Sequence, residues 1–215
     1  QNVILDGNRA TFAPHPINCN DVTNLGSECG LISLFSGSSD ITFVDVEMRN
    51  SMANTVYIRG TDEYRDQSAD GVQFVRAHLH DGGDVQGGPF DHLIYANDVT
   101  NFLIEDSVFA NSAGFGIQIQ ADHYHPGGEP AYAGDITIRR NLVVDNGKGT
   151  GGGIYLLNTL GTNLLENNLI ARNGGNGLRL ASGVSGWTVR HTTFAHNAII
   201  GLPATEYPHP DVSVF

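Results

Sequence analysis

The sequence predicts an all-β solenoid, a stack of similar coils around one continuous core. Three observations predict it. A unit of strand, turn and strand recurs every 24–35 residues along the 215-residue chain, and self-similarity at such a period marks a stacked repeat. The apolar residues within each unit alternate with polar ones, the period of a half-buried strand, and no long stretch shows a helical period. Asn, Asp or Gly closes nearly every apolar run, as turns that need positive φ require.

The units follow in order. A first coil covers 2–35, with the strand-like opening NVILDGNRATF (2–12). Two looser copies are ITFVDVEMRNSMANTVYI (41–58) and VQFVRAHLHDGG…HLIYA (72–96). Three clear ones are FLIEDSVFANSAGFGIQI (102–119), ITIRRNLVVDNG…GGIYL (136–156) and NLLENNLIARNGGNGLRL (163–180), and WTVRHTTFAHNAIIGL (187–202) is the last. Asn50, Asp81, Asn111, Asn146, Asn173 and Asn197 mark the recurring turn. A single coil cannot bury its own apolar face, but coils stacked with Ile on Ile and Asn on Asn can. The spacing suits one turn of a parallel β-helix with two or three strands per coil. About seven coils form one domain over 1–215, and no amphipathic capping segment precedes the first. The ends therefore read as uncapped, as in part of a longer protein or a helix that packs end to end or with copies of itself.

The opening NVILDGNRATF, the Asn at each turn and the strands GIQI, GIYL and GLRL resemble the right-handed parallel β-helix superfamily, which includes pectate lyases, alginate lyases and mannuronan epimerases. The resemblance spans nearly the whole chain. It implies a right-handed parallel β-helix, and turn asparagines stacked in a side-chain ladder. For activity it implies less, because one solenoid hosts many functions. The Asn-Thr-Asp, Gly-His-Gly and Arg-Ile-Lys signatures of polygalacturonase-type hydrolases are absent, and so are the arginine and calcium signatures of pectate lyases.

Composition narrows the choice. A net charge of −12 argues against nucleic acid as partner, and no apolar run reaches the length of a membrane span. An acidic groove also repels a polyuronate unless Ca²⁺ or an Arg cluster intervenes. Lys148 is the sole lysine, which disfavours a lysine base. Cys19 and Cys29 share one irregular polar loop. They read as a local disulfide formed in an oxidising, secretory or extracellular compartment, ahead of a two-thiol metal site.

Alternation along the Gly-Ile-X-Leu strands turns Ile117, Ile119, Ile154, Leu156, Leu178 and Leu180 inward. The residues between them face solvent and form one column: Tyr57, Tyr95, Gln118, Tyr155 and Arg179, with Arg59 beside it. Tyrosines offer flat apolar faces with hydroxyl rims, suited to sugar rings, although Tyr also favours strands for packing alone. The long polar stretches 60–70 and 121–134 leave one corner, and 13–30 and 82–92 the other. Long loops of this kind are commonly functional, and here they would flank the column as the walls of a cleft.

Five of the nine histidines fall in the third and fourth coils. Abstraction of the proton next to a carboxylate needs a base, an acid and a charge neutraliser. His92 or His123, Tyr95, and Arg59 or Arg179 are the candidates, so the catalytic set is His92, Tyr95 and His123. His78 and His80 alternate with Leu79 and read as outward residues of a rear sheet. Asp62, Glu63, Asp66 and Asp70 supply hard oxygen ligands that could hold Ca²⁺, though without the spacing of a known calcium loop; no other cofactor is indicated. Together these readings describe an extracellular, polysaccharide-binding β-helix, with a lyase or epimerase of uronic-acid polymers as the chemistry if it is an enzyme. The alternative is a non-catalytic structural or adhesive module of a surface protein or fibre.

Overall fold

The computed structural model describes residues 3–7, 30–35, 37–60, 68–83, 91–121, 133–149 and 151–197, and the backbone of 212–214. Every strand pairing among them is parallel, and each coil contributes one strand to each of three long sheets. Sheet I contains Thr42–Val44, Gln73–Val75, Leu103–Glu105, Thr137–Arg139, Asn163–Glu166 and Trp187–Arg190. Sheet II contains Val3–Asp6, Val46–Arg49, His78–His80, Val108–Ala110, Leu142–Val144, Leu169–Ala171 and Thr193–Ala195. Sheet III contains Gly30–Leu34, Asn54–Arg59, Ile94–Asn97, Ile117–Gln120, Ile154–Leu157, Leu178–Leu180 and Val212–Val214. Two-residue strands at Ala69–Asp70, Val99–Thr100, Ala133–Gly134 and Thr159–Leu160 form a fourth, narrow sheet IV. The chain is a parallel β-helix, and among the described residues no helix is long and apolar enough to cross a membrane.

Period-two alternation builds the core. Ile94, Ile117, Ile154 and Leu178 are Cα partners in successive coils and are all out of solvent. Ile119 and Leu156 continue beside them, while Leu180, in the last full coil, is only partly buried. On sheet I, Phe43 and Phe74 stack with ring centroids 4.9 Å apart. Like residues thus pack on like from coil to coil. Ile154→Ala should cost about 2–5 kcal/mol, as other buried large-to-small changes do, and urea unfolding measures it. A loss below about 1 kcal/mol would mean that the column is not close-packed.

The turn after sheet II contains two adjacent columns where the sequence suggested one. The register aligns Asn50, Asp81, Asn111, Asp145, Arg172 and His196, all with φ between 54° and 64°. The next position aligns Ser51, Gly82, Ser112, Asn146, Asn173 and Asn197. Here the last three form a buried ladder: Asn146 N–H and Nδ2 both donate to Asn173 Oδ1 (3.0 and 3.1 Å), and Asn173 Nδ2 donates to Asn197 Oδ1 at 2.8 Å. A second ladder follows sheet I, where Asn141 N–H and Nδ2 donate to Asn168 Oδ1 at 2.9 and 3.1 Å.

The left-handed positions are not confined to Asn, Asp and Gly; Arg76, Arg140 and Arg172 adopt them as well. Each of these arginines makes a two-pronged contact with an aspartate one coil back: Arg76 with Asp45, Arg140 with Asp106 and Arg172 with Asp145. Bidentate geometry offsets part of the backbone strain. Glu105, Arg139, Glu166 and Arg190 alternate in sign beside Arg76 and Arg140 at the end of sheet I, with Arg139 bonded to Glu105 and Arg190 Nε 2.7 Å from Glu166. Alternation by coil disfavours a slipped stack, because a one-coil slip would set like charges together.

Candidate binding face on sheet III

The register of sheet III puts Tyr57, Tyr95, Gln118, Tyr155 and Arg179 in one outward row, each the Cα partner of the next. A second outward row runs Arg59, Asn97, Gln120 and Leu157. Sequence reasoning picked Arg59 but not Asn97 or Gln120. The same alternation identifies them, since Ile94-Tyr95-Ala96-Asn97 and Ile117-Gln118-Ile119-Gln120 each place two residues outward.

The face is drier than alternation implies. Tyr57 and Gln118 are only 3% and 7% exposed, and Asn97 and Gln120 are buried as well. Tyr95, Tyr155, Arg59 and Arg179 are half-buried. The row is also tied to itself. Tyr57 and Tyr95 stack at 5.7 Å with planes 6° apart, Tyr155 stacks on Phe115 at 5.2 Å, and the Arg179 guanidinium lies 5.0 Å from the Tyr155 centroid. The stacked rings therefore turn their faces to one another. Gln118 Nε2 donates to Gln120 Oε1 at 2.6 Å, and Gln120 Nε2 donates to the Tyr95 hydroxyl at 2.9 Å. A network of this kind fixes the orientation of every amide in it.

His92 sits at the bend before Ile94–Asn97 and is completely buried. Its ring stacks on Tyr95 at 5.4 Å and lies 5.7 Å from Phe115. Its own N–H donates to Asn54 Oδ1 at 3.1 Å. The Phe115 N–H donates to His92 Nδ1 at 2.8 Å, which leaves the ring proton on Nε2. Burial pushes the imidazole pKa down to about 3, because desolvation disfavours the charged form. His92 is therefore neutral near pH 7, and its one lone pair is occupied. As the general base for which sequence made it one of two candidates, it would first have to give up the Phe115 amide, and it stands as a buried residue behind the row. Gly114 makes room for it, since a Cβ there would lie 2.5 Å from Nδ1.

The other residues picked from sequence fall elsewhere. Asp70 lies in sheet IV, where its Oδ1 accepts from Thr100 Oγ1 (2.8 Å) and Asn101 Nδ2 (2.7 Å). Those bonds, Asn101's first, hold its carboxyl below the usual range. Among the described residues no group of three or more His, Cys, Asp or Glu is placed to hold a metal ion. Asp62, Glu63, Asp66, His123, Cys19 and Cys29 lie outside the described residues. His78 and His80 are on the outward face of sheet II with Leu79 inward. His80 is flanked there by Asp81 Oδ2 at 2.6 Å and Glu47 Oε1 at 3.3 Å.

These features define a class: a solenoid of parallel strands whose third sheet carries an aromatic and amide face. The family model for the right-handed β-helix region matches residues 21–194, and the chain belongs to that family. Comparison with curated proteins and with solved structures returns no match.

Proposed function

We propose that the chain binds carbohydrate along the outward face of sheet III. One observation carries this reading: the outward face gathers tyrosines, amides and a neutral imidazole largely out of water. The outward face of sheet I instead ends in a solvated ion-pair ladder, and that of sheet II carries the ion-paired Glu47, Arg49 and His80 beside the apolar Val108, Leu142 and Leu169. Oriented amides and phenol edges suit the hydroxyls of a sugar, and parallel rungs roughly 4.8 Å apart suit a ligand that extends along the helix axis. The partner in this proposal is a polysaccharide and the setting extracellular, for which the paired Cys19 and Cys29 expected from sequence remain the argument.

Binding is proposed ahead of catalysis. Elimination or epimerisation of a uronate needs a free base, and His92 as placed offers none. An absorbance assay for unsaturated uronates, with and without Ca²⁺, tests the lyase chemistry directly. The second reading, a structural or adhesive module, draws support from the mutual stacking of the row, which satisfies much of it internally.

Tyr155 separates the two. It is half-buried, between the Phe115 ring and the Arg179 guanidinium. Tyr155→Phe should lower glycan affinity about tenfold, near the value of one hydrogen bond, with an unchanged melting temperature. Isothermal titration against a glycan panel reads it. Affinity indifferent to Tyr155→Phe and to Tyr155→Ala would favour the structural module.

A further inference from the structure

We infer that the sugar unit held at the centre of this face is neutral, and that His92 and Asn97 are two of its contacts. The inference rests on the carbohydrate reading above and narrows it.

Around Tyr95, the buried side-chain atoms His92 Nε2 and Asn97 Oδ1 have no hydrogen-bond partner among the described residues. Their residues are 0% and 3% exposed. Buried polar groups are nearly always satisfied, and leaving one unmade costs the full desolvation of the group. Both belong to this one coil. His92 stacks on Tyr95, and Asn97 stands two residues beyond Tyr95 on the same outward face.

The two atoms make opposite demands. With Nδ1 accepting the Phe115 amide, His92 Nε2 carries a hydrogen and can only donate. Asn97 Oδ1 can only accept. A hydroxyl both donates and accepts, so hydroxyls of a neutral sugar satisfy both atoms. An ionised carboxylate only accepts. It could accept a hydrogen bond from His92 Nε2–H, but against Asn97 Oδ1 it would set oxygen on oxygen.

The surroundings point the same way. The groups nearest the centre are the Tyr95 hydroxyl and the Gln118 and Gln120 amides, and a buried carboxylate would need a charge partner there. Arg179 lies two rungs from Gln118 and packs on Tyr155. Arg59 stands next to Asn97 in the adjoining coil and has interactions of its own.

The test titrates the whole chain with neutral oligosaccharides (glucan, mannan and xylan fragments) and with oligouronates of matched length. The neutral class should bind and the uronates should bind at least tenfold more weakly, as expected where a polar site meets a mismatched group. Asn97→Ala should weaken neutral-sugar binding about tenfold, and so should His92→Phe, which keeps a ring but deletes the Nε2 donor. Asn97→Ala serves as the decisive variant if His92→Phe fails to fold. Preference for uronates, or neutral-sugar binding indifferent to Asn97→Ala, overturns the inference and leaves the carbohydrate reading standing. Binding of neither class overturns both.

Discussion

Acidification from pH 6.5 toward pH 3 is expected to remove about 4–5 kcal/mol of stability through His92 alone. The sign follows from where the proton goes. In the unfolded chain an imidazole takes up its proton near pH 6.5, whereas in the folded chain burial depresses that event to about 3. Between those values the unfolded state binds more protons, so stability rises with pH and is lost as pH falls. His92's contribution is fully present above pH 6.5 and gone once pH drops below about 3. Burial, and then His80 stacked 4.2 Å away, depress His78 too, adding loss in the same direction. Unfolding free energies from urea titrations at pH 7 and pH 5 should differ by about 2 kcal/mol from His92. His92→Phe should be less stable at pH 7, because the Phe115 amide loses its acceptor, yet show a flatter dependence over that interval. An equally steep dependence in His92→Phe would place the acid sensitivity elsewhere, and the neutral buried imidazole would fall with it.

The same residue shows where reading the sequence stopped short. Alternation identified the row from Tyr57 to Arg179, because side-chain direction on a strand depends only on parity. The pairings Tyr57–Tyr95, Tyr95–Gln118, Gln118–Tyr155 and Tyr155–Arg179 follow from it without any structure. Parity does not tell how much water an outward residue meets. Tyr57 and Gln118 were expected in solvent and are buried, and the tyrosine faces expected to meet sugar are turned to their neighbours. Nor does parity reach round a corner. His92 lies at a bend, where its direction depends on the missing Cβ of Gly114 and on the Phe115 amide, and both belong to the next coil. The turn asparagines show a related limit. Asn50, Asp81 and Asn111 look like Asn146, Asn173 and Asn197, but a one-residue offset separates a partly exposed left-handed column from a buried ladder. The two differ in which residues their side chains bond, which composition alone cannot show.

That offset makes the ladder testable. Asn173→Ala is expected to cost about 3–5 kcal/mol, whereas Asn167→Ala, at an exposed turn with φ 54°, should cost about 1 kcal/mol. Asn173 is fully buried, and its side chain serves three coils. Its Oδ1 accepts the Asn146 N–H at 3.0 Å and the Asn146 Nδ2 at 3.1 Å. Its Nδ2 donates to the Val143 carbonyl at 3.1 Å and to Asn197 Oδ1 at 2.8 Å. Alanine would leave the Asn146 amide and the Val143 carbonyl short of partners in the core, at about 1–3 kcal/mol for each group left unsatisfied. Asn173→Asp should fare no better, since a carboxylate cannot donate to Val143 and its charge would be buried unpaired. The loss should appear as a lower urea midpoint with little change in slope. The remaining folded fraction should bind sugar as before, because sheet III takes its outward side chains from a different part of each coil. If Asn173→Ala and Asn167→Ala cost the same small amount, the ladder would be an ordinary solvated turn, and the stack would have to owe its register to the apolar columns and the charge ladder.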